Sequence, residues 1–410
     1  MSDGAAATAA SPGAVAAAPT ARPRFTLVVI LGALSSFGPL SIDVYLPALP
    51  SLTRSLHASA SAGQLTLTSS MLGIAFGQLV AGPTSDRFGR RQPLLAGLAG
   101  YALVSFACAL MPSIWPLIGV RFIQGLLGGA GIVIARAIVR DLFEGVTAAR
   151  LFATLVMITG IAPVLAPVLG AQVLRFSSWR GTFVLLGVVG LVMLSMATFG
   201  LEETLAAGKR HEGGLRETLR IFSRLLGDRR FAPYALALAL ASCSVFAYIA
   251  GSSYVLENVF RTSPQVFSAV FAVNSVGFIV VAQVGGRIVG RFGPVRLLRW
   301  GLVVLALASL GTLTVALTGA GLWPLLVTLF VMMSSAGLVL PNGVAAAMIG
   351  QQSALGAASA LVGLGQFGSG ALVAPLVGIG GAYDALPMGL IMAVGGVAAV
   401  GVDGGFRNRP

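Results

Sequence analysis

Two ionisable side chains of this sequence stand inside long apolar runs, where such groups are costly and seldom serve packing alone. Asp43, in Ser41-Ile42-Asp43-Val44-Tyr45-Leu46-Pro47, is the only acid in the six apolar runs of the first half of the chain. Arg121 begins Arg121-Phe122-Ile123-Gln124-Gly125 in the fourth of those runs, which holds no acid of its own. A carboxylate held away from bulk water can take up and release a proton, and a guanidinium nearby feels the field change when it does. The pattern is that of proton coupling, with Asp43 as carrier and Arg121 as sensor. Gln124 and Gly125 share the helix face of Arg121, and Tyr45 lies two residues beyond Asp43. The depth of Asp43 stays open. About 27 Å along a helix begun at Phe25, it reaches the wet edge of a membrane, unless the helix runs on past Pro47 and leaves it at cavity depth.

Two further segments carry spacing that topology alone does not require. In Gly82-Pro83-Thr84-Ser85-Asp86-Arg87-Phe88-Gly89-Arg90-Arg91, glycines allow a tight turn, and Asp86 stands among three arginines. A carboxylate so placed can tie helix ends together by charge-assisted hydrogen bonds. The run Gly160-Ile161-Ala162-Pro163-Val164-Leu165-Ala166-Pro167-Val168-Leu169-Gly170 is dense in residues that only packed neighbours tolerate inside a helix. It predicts a kinked helix with a small-residue face, suited to act as a pivot.

A membrane must position these residues. Of 410 residues, 56% are apolar and 10% charged, with a mean hydropathy of +0.92, which leaves no polar coat for a soluble domain and too much apolar surface for disorder. Residues 1–24 read as a flexible Ala/Pro/Ser-rich tail. Twelve stretches long enough to span a bilayer follow, near 25–48, 63–83, 92–112, 114–136, 150–174, 181–201, 231–256, 266–286, 298–318, 321–347, 354–379 and 385–403. The polar segment 202–230 separates a six-span unit at 25–201 from another at 231–403, and 404–410 is a short tail.

The net charge of +13 and pI near 11.2 invite a nucleic-acid reading, and the position of the basic residues removes it. With both termini cytoplasmic, 21 of the 26 basic residues fall in inside loops and tails, 4 in outside loops and Arg121 within a span; that asymmetry is the positive-inside pattern of a membrane protein.

The two halves repeat. Gly82-Pro83-Thr84-Ser85-Asp86-Arg87-Phe88-Gly89 aligns with Gly286-Arg287-Ile288-Val289-Gly290-Arg291-Phe292-Gly293, and Ala166-Pro167-Val168-Leu169-Gly170 with Ala374-Pro375-Leu376-Val377-Gly378. Parallel six-span repeats are an architecture of secondary transporters that rock two bundles about a central site.

The 82–91 segment resembles the signature loop of the major facilitator superfamily at Gly82, Asp86, Arg87, Gly89, Arg90 and Arg91. The resemblance implies an all-α fold of two pseudo-symmetric six-helix bundles. It also implies a cytoplasmic gate in which the Asp and the later Arg latch the halves, with partners at Asp141 and at the start of span eleven. The C-terminal copy has Gly290 where Asp86 stands, which implies a weaker latch there. The Gly160, Pro163, Pro167, Gly170 pattern resembles the antiporter motif of this superfamily, and Arg121-x-x-Gln124-Gly125 its proton-coupling motif. Together with Asp43-Val44-Tyr45-Leu46-Pro47, these stretches are most similar to the drug:proton exporters of the bicyclomycin- and chloramphenicol-resistance subfamily.

A substrate cavity between the bundles is expected to draw on polar residues within spans: Tyr45, Gln124, Tyr248, Asn274, Asn342 and Gln366. Glu257 and Asp384 flank outer span ends and read as solvated. Cys108 and Cys243 offer no disulfide framework and His57 and His211 no metal cluster. No nucleotide-binding loop and no nucleophile–base pair appear, so no enzyme activity and no cofactor are expected. The expectation is a monomeric multi-pass protein of the cell membrane that moves a small amphipathic molecule against a proton gradient. Import of a nutrient by symport on the same fold is the alternative, and the span-five motif argues against it.

Overall fold

The computed structural model describes residues 25–143, 145–205, 215–351 and 355–407. The N-terminal tail, the linker stretch 206–214 with Lys209, Gln352 and the last three residues lie outside them. The described elements are helical: α1 (Phe25–Ser35), α2 (Phe37–Asp43), α3 (Leu49–Ser55), α4 (Ala60–Phe88), α5 (Arg91–Leu110), α6 (Ile114–Leu142), α7 (Gly145–Phe176), α8 (Trp179–Gly200), α9 (Leu215–Gly227), α10 (Ala232–Tyr254), α11 (Pro264–Phe292), α12 (Pro294–Thr318), α13 (Leu322–Ala347), α14 (Leu355–Val377) and α15 (Leu386–Arg407). Among the described residues eleven helices are long and apolar enough to cross a membrane, and twelve when the bent first pair counts as one span. In lipid only such internally bonded segments satisfy every backbone group.

The internal repeat is written into the backbone. Ser59 and Ser263 cap α4 and α11, accepting from the N–H groups of Ala62 and Val266 respectively. Both helices run 29 residues and end on a glycine at positive φ, Gly89 at +92° and Gly293 at +77°. The turn needs a residue without Cβ at those two positions. Gly82, by contrast, lies within α4 with open space where a Cβ would stand, so the turn begins only at Gly89, seven residues later than the sequence implied.

By contact the helices fall into two groups. One joins α1, α2 and α4–α8; the other joins α10–α15. They meet through two main pairs, α4 with α14 and α7 with α11. The tightest packing within the first group is α4 on α6. A side chain at Gly73 or Gly77 would strike the backbone of Phe122 to Leu126, and one at Gly125 or Gly129 the backbone of Ser70 to Gln78. This is the small-xxx-small packing of membrane helices, run in both directions.

Two elements depart from the sequence reading. Span one is not a single helix over 25–48. It breaks after Ser35, bends by 47° and continues to Ser55, with a 3-10 turn at Leu46–Ala48. Gly38, Pro39, Pro47 and Pro50 crowd this stretch, and each proline removes a ladder hydrogen bond. The segment 202–230 contains α9, whose Phe222 and Leu225 are buried. Its apolar positions are too few to span a bilayer but sufficient to lie along one face.

Candidate functional site

Arg121 is the centre of the first cluster. Its side chain is wholly buried. The guanidinium donates from Nη2 to the Ser41 carbonyl at 3.1 Å and from Nη1 to Gln124 Oε1. It lies over the Tyr45 ring at 4.5 Å and the Phe183 ring at 5.5 Å. Gln124, one turn along α6, passes the network on by donating from Nε2 to Ser105 Oγ at 2.6 Å. Ser41 Oγ bonds Tyr101 Oη at 2.6 Å, and Tyr45 Oη bonds Thr66 Oγ1. A cation without a carboxylate partner among the described residues is thus housed by carbonyl oxygens and aromatic faces, which solvate it without neutralising it. Arg121 Nε has no acceptor among the described residues.

Asp43 ends α2, two residues beyond the Ser41 carbonyl that Arg121 holds. The sequence predicts a carboxylate facing the guanidinium. In the structure no ion pair or hydrogen bond joins them among the described residues. Arg121 instead holds the turn that carries Asp43, and Ser41 and Asp43, two residues apart, point about 200° apart around α2. Asp43 faces a cavity of about 380 Å³ between the helix groups. The lining is strongly apolar and aromatic, with Phe152, Phe246, Phe271, Phe278 and Phe367 among its members. Its charged members are Asp43 and Arg136. The volume falls in the range of small-molecule sites.

The residues expected to line this cavity do not. Tyr45 and Gln124 are consumed by the Arg121 network. Tyr248 and Asn274 satisfy each other, Asn274 Nδ2 donating to Tyr248 Oη at 2.9 Å, and Tyr248 stacks behind the lining residue Phe271. Asn342 donates back to the Leu338 carbonyl at 2.8 Å within α13. Gln366, half-buried on α14, adjoins the lining residue Phe367 without reaching the cavity. Polar groups in a membrane helix seek partners, and five of these six have them, leaving the wall apolar. The α7 motif divides likewise. Gly160 and Pro163 line the cavity, the Pro163 carbonyl accepts from Ser275 Oγ at 3.4 Å, Pro167 is buried within the helix, and Gly170 lies against the Val44 backbone.

At the end of the molecule carrying Asp86, one arginine gathers the helix ends. Arg90 donates from Nε to Asp141 Oδ2 at 2.8 Å, and from Nη1 to Ser85 Oγ and to Asp86 Oδ1. Glu203, just past α8, accepts from the backbone N–H groups of Arg90 and Arg91 at 2.8 and 3.2 Å. Partial burial works to raise its pKa, but backbone donors at Leu205, Arg90, Arg91 and Thr204 outweigh it and hold Glu203 below its usual range. Arg87 makes no ion pair among the described residues and lies over Phe88 at 5.3 Å. This cluster ties α4, α5 and α6 to the segment after α8, all within one group. The partner expected at the start of span eleven falls at 352–357, outside the described side chains.

The opposite end is closed. Arg54 Nη1 donates to Asn258 Oδ1 at 3.2 Å, Gln64 Nε2 to the Ala250 carbonyl at 3.2 Å, Thr68 Oγ1 to the Ala371 carbonyl at 2.9 Å and Gln265 Nε2 to the Ala171 carbonyl at 3.1 Å. Each of these bonds crosses from one helix group to the other. At the Asp86 end no hydrogen bond crosses among the described residues. Hydrogen bonds therefore seal the cavity at the Arg54 end, and among the described residues none does so at the other. Glu257, expected in water, is half-buried in a π-helical turn at Val255–Val259, its Oε1 without a donor among the described residues.

The sequence matches the family model of the Major Facilitator Superfamily over residues 26–375. The chain belongs to this superfamily. It is 39% identical to the MFS-type transporter YdgK of Bacillus subtilis, over 92% of this chain and 94% of that protein. It is 29% identical to a bicyclomycin resistance protein homolog of Haemophilus influenzae, over 86% and 89% respectively. Among solved structures it superposes on the nucleoside transporter NupG with a TM-score of 0.76 at 13% identity, covering 93% of this chain and 99% of that one; at that identity the likeness speaks for the fold.

As a facilitator-superfamily transporter the chain keeps its signature residues in two places. The Asp86 loop forms one edge cluster, and the Arg121 network supports the cavity wall. The sequence reading missed two residues of the site. Arg136, which the charge pattern assigns to an inside loop, lies within α6 and lines the cavity. Glu203 completes the edge cluster, and the signal was present in Glu202-Glu203, a pair of acids inside an otherwise arginine-rich side.

Proposed function

We propose that this chain is a proton-driven exporter of small amphipathic compounds, working as a single chain in the cell membrane with both termini and the Asp86 edge on the cytoplasmic side. The observation that carries the reading is a carboxylate in a drug-sized aromatic cavity that hydrogen bonds between the helix groups seal at one end. The seal lies on the outer side in this orientation, so the cavity stands ready to load from the cytoplasm. Substrate enters, its apolar body against the phenylalanines and its polar end near Asp43. Rocking about α4–α14 and α7–α11 opens the outer end, and a proton arriving at Asp43 from outside displaces the substrate. Arg121 transmits the change because it grips the Ser41 carbonyl, so movement of the α2 end moves the Arg121–Gln124–Ser105 network with it. A gradient of one pH unit supplies about 1.4 kcal/mol per proton. The name of the bicyclomycin resistance relative supports the exporter direction.

The test is accumulation in inverted vesicles across a panel of antibiotics and dyes. Acid-inside vesicles accumulate substrate if the chain is an antiporter, whereas a symporter drives it out. Asp43→Asn keeps the fold, since the carboxylate has no hydrogen-bond partner among the described residues, and loses proton-driven accumulation. Undiminished accumulation by the Asp43→Asn protein overturns the assignment of the carrier.

A further inference from the structure

The cavity holds a second charge that the export cycle above leaves unused. Arg136 faces it from α6, and among the described residues its guanidinium makes no hydrogen bond and no ion pair. The next charge along α6 is Arg140, of the same sign. Exposed at the cavity wall, the Arg136 guanidinium keeps its donors free for a ligand, and its planar fork fits a carboxylate or another oxyanion.

Its distance from Asp43 follows from the packing of the two helices, which run antiparallel. A Cβ on Gly38 would meet Ile132, and one on Gly131 would meet Leu34. Asp43 lies beyond these marks toward the sealed end and Arg136 beyond them toward the open one. At 1.5 Å per residue the two Cα atoms are about 13–21 Å apart along the bundle. An arginine side chain lies back toward the N-terminus of its helix, here toward Asp43, by about 6 Å, which leaves roughly 10 Å between the charges. The wall they share includes Phe152, Leu155 and Gly160 from one helix group and Phe246, Phe271 and Phe367 from the other.

We infer that the cavity is a bipolar site, built for elongated aromatic molecules that carry an oxyanion at one end and an amine at the other. The oxyanion rests on Arg136, the amine on Asp43 and the ring system on the phenylalanines between. This deepens the exporter reading and rests on the same cavity. It gives the proton a defined competitor: protonated Asp43 releases the amine while Arg136 still holds the acid end, so the amine end leaves first, on the side from which the proton came.

The test uses the purified full-length protein and three matched probes. The first is a biphenyl with an aminomethyl group at one para end and a carboxylate at the other; the second is its methyl ester, the third its N-acetyl derivative. Binding is read by calorimetry. The wild type binds the zwitterion about tenfold more tightly than either blocked form, as expected for losing one charge-assisted contact. Arg136→Gln weakens the zwitterion about tenfold and leaves the ester unchanged, and Arg136→Lys falls between. Asp43→Asn weakens the zwitterion and leaves the acetylated probe unchanged. Equal binding of all three probes by the wild type, binding of none, or an equal loss for zwitterion and ester in both Arg136 variants overturns the inference. Charge-matched binding without accumulation in acid-inside vesicles keeps the bipolar site and overturns the exporter reading instead.

Discussion

Arg121→Lys keeps the positive charge and removes the shape, so it separates what the guanidinium does as a cation from what it does as a fork. The structure fixes the size of the loss. Arg121 serves two acceptors on different helices, the Ser41 carbonyl on α2 and Gln124 Oε1 on α6, while lying over the rings of Tyr45 and Phe183. An ammonium reaches one acceptor and leaves the other buried and unfilled, a loss of about 1.5–3 kcal/mol for a bond to a charged group. Part of the aromatic contact goes as well, about 0.5–1 kcal/mol. The sum is about 2–4 kcal/mol of stability, and the α2 end is no longer gripped. The assays are thermal unfolding of the purified protein, followed by tryptophan fluorescence, and proton-driven accumulation in vesicles. The expected result is a lowered melting temperature together with lost coupling. Tyr45→Phe keeps the ring under the guanidinium and drops only the bond to Thr66, about 1 kcal/mol, and it keeps transport. An Arg121→Lys protein that melts and pumps like the wild type refutes the reasoning, since a bare charge would then suffice.

Three further outcomes are expected. Arg90→Ala removes the link between Asp86, Ser85 and Asp141 and costs about 2–3 kcal/mol, whereas Arg87→Ala, which removes no ion pair, leaves the melting temperature nearly unchanged; equal effects would show that the edge needs only positive charge. Glu203→Gln lowers the melting temperature at neutral pH. Because the folded protein holds the Glu203 pKa below its ordinary 4.5, the carboxylate stabilises the fold above that value and ceases to as the pH falls through the lower, folded one; the gap between variant and wild type therefore closes in acid, and a gap independent of pH would contradict the assignment. Gly73→Val drives a side chain into the Phe122 carbonyl and abolishes folded protein on size exclusion, while Gly82→Ala, with open space at its Cβ, folds and melts like the wild type.

What could be read from the sequence was whatever leaves a periodic or chemical mark. Spans show as length and hydropathy. The repeat shows because the Gly89 and Gly293 turns need the same residue for the same backbone reason. The Arg121–Gln124 pair shows because helix spacing alone puts both on one face. The cavity wall left no such mark. Phe246 or Phe367 looks the same in the sequence whether it faces lipid, a neighbour or a void, and only the packing of two bundles decides. Polar residues misled for the opposite reason: Tyr248 and Asn274 looked available and had already satisfied each other. Arg136 was hidden by the topology rule that explained its neighbours, since a cation near a helix end looks like a loop residue until its depth is known. The break after Ser35 is a local contest between prolines and bilayer thickness that hydropathy does not register.

The clasp that closes the far end is made largely from one side. Gln64, Thr68 and Gln265 supply donors, and what receives them is the main chain at Ala250, Ala371 and Ala171. Every residue type presents the same carbonyl, so the receiving positions are free to drift in evolution so long as they stay small, whereas each donor position answers for its own bond. Tolerance to substitution should therefore be lopsided across the contact, and a saturation library of the six positions would display that asymmetry directly.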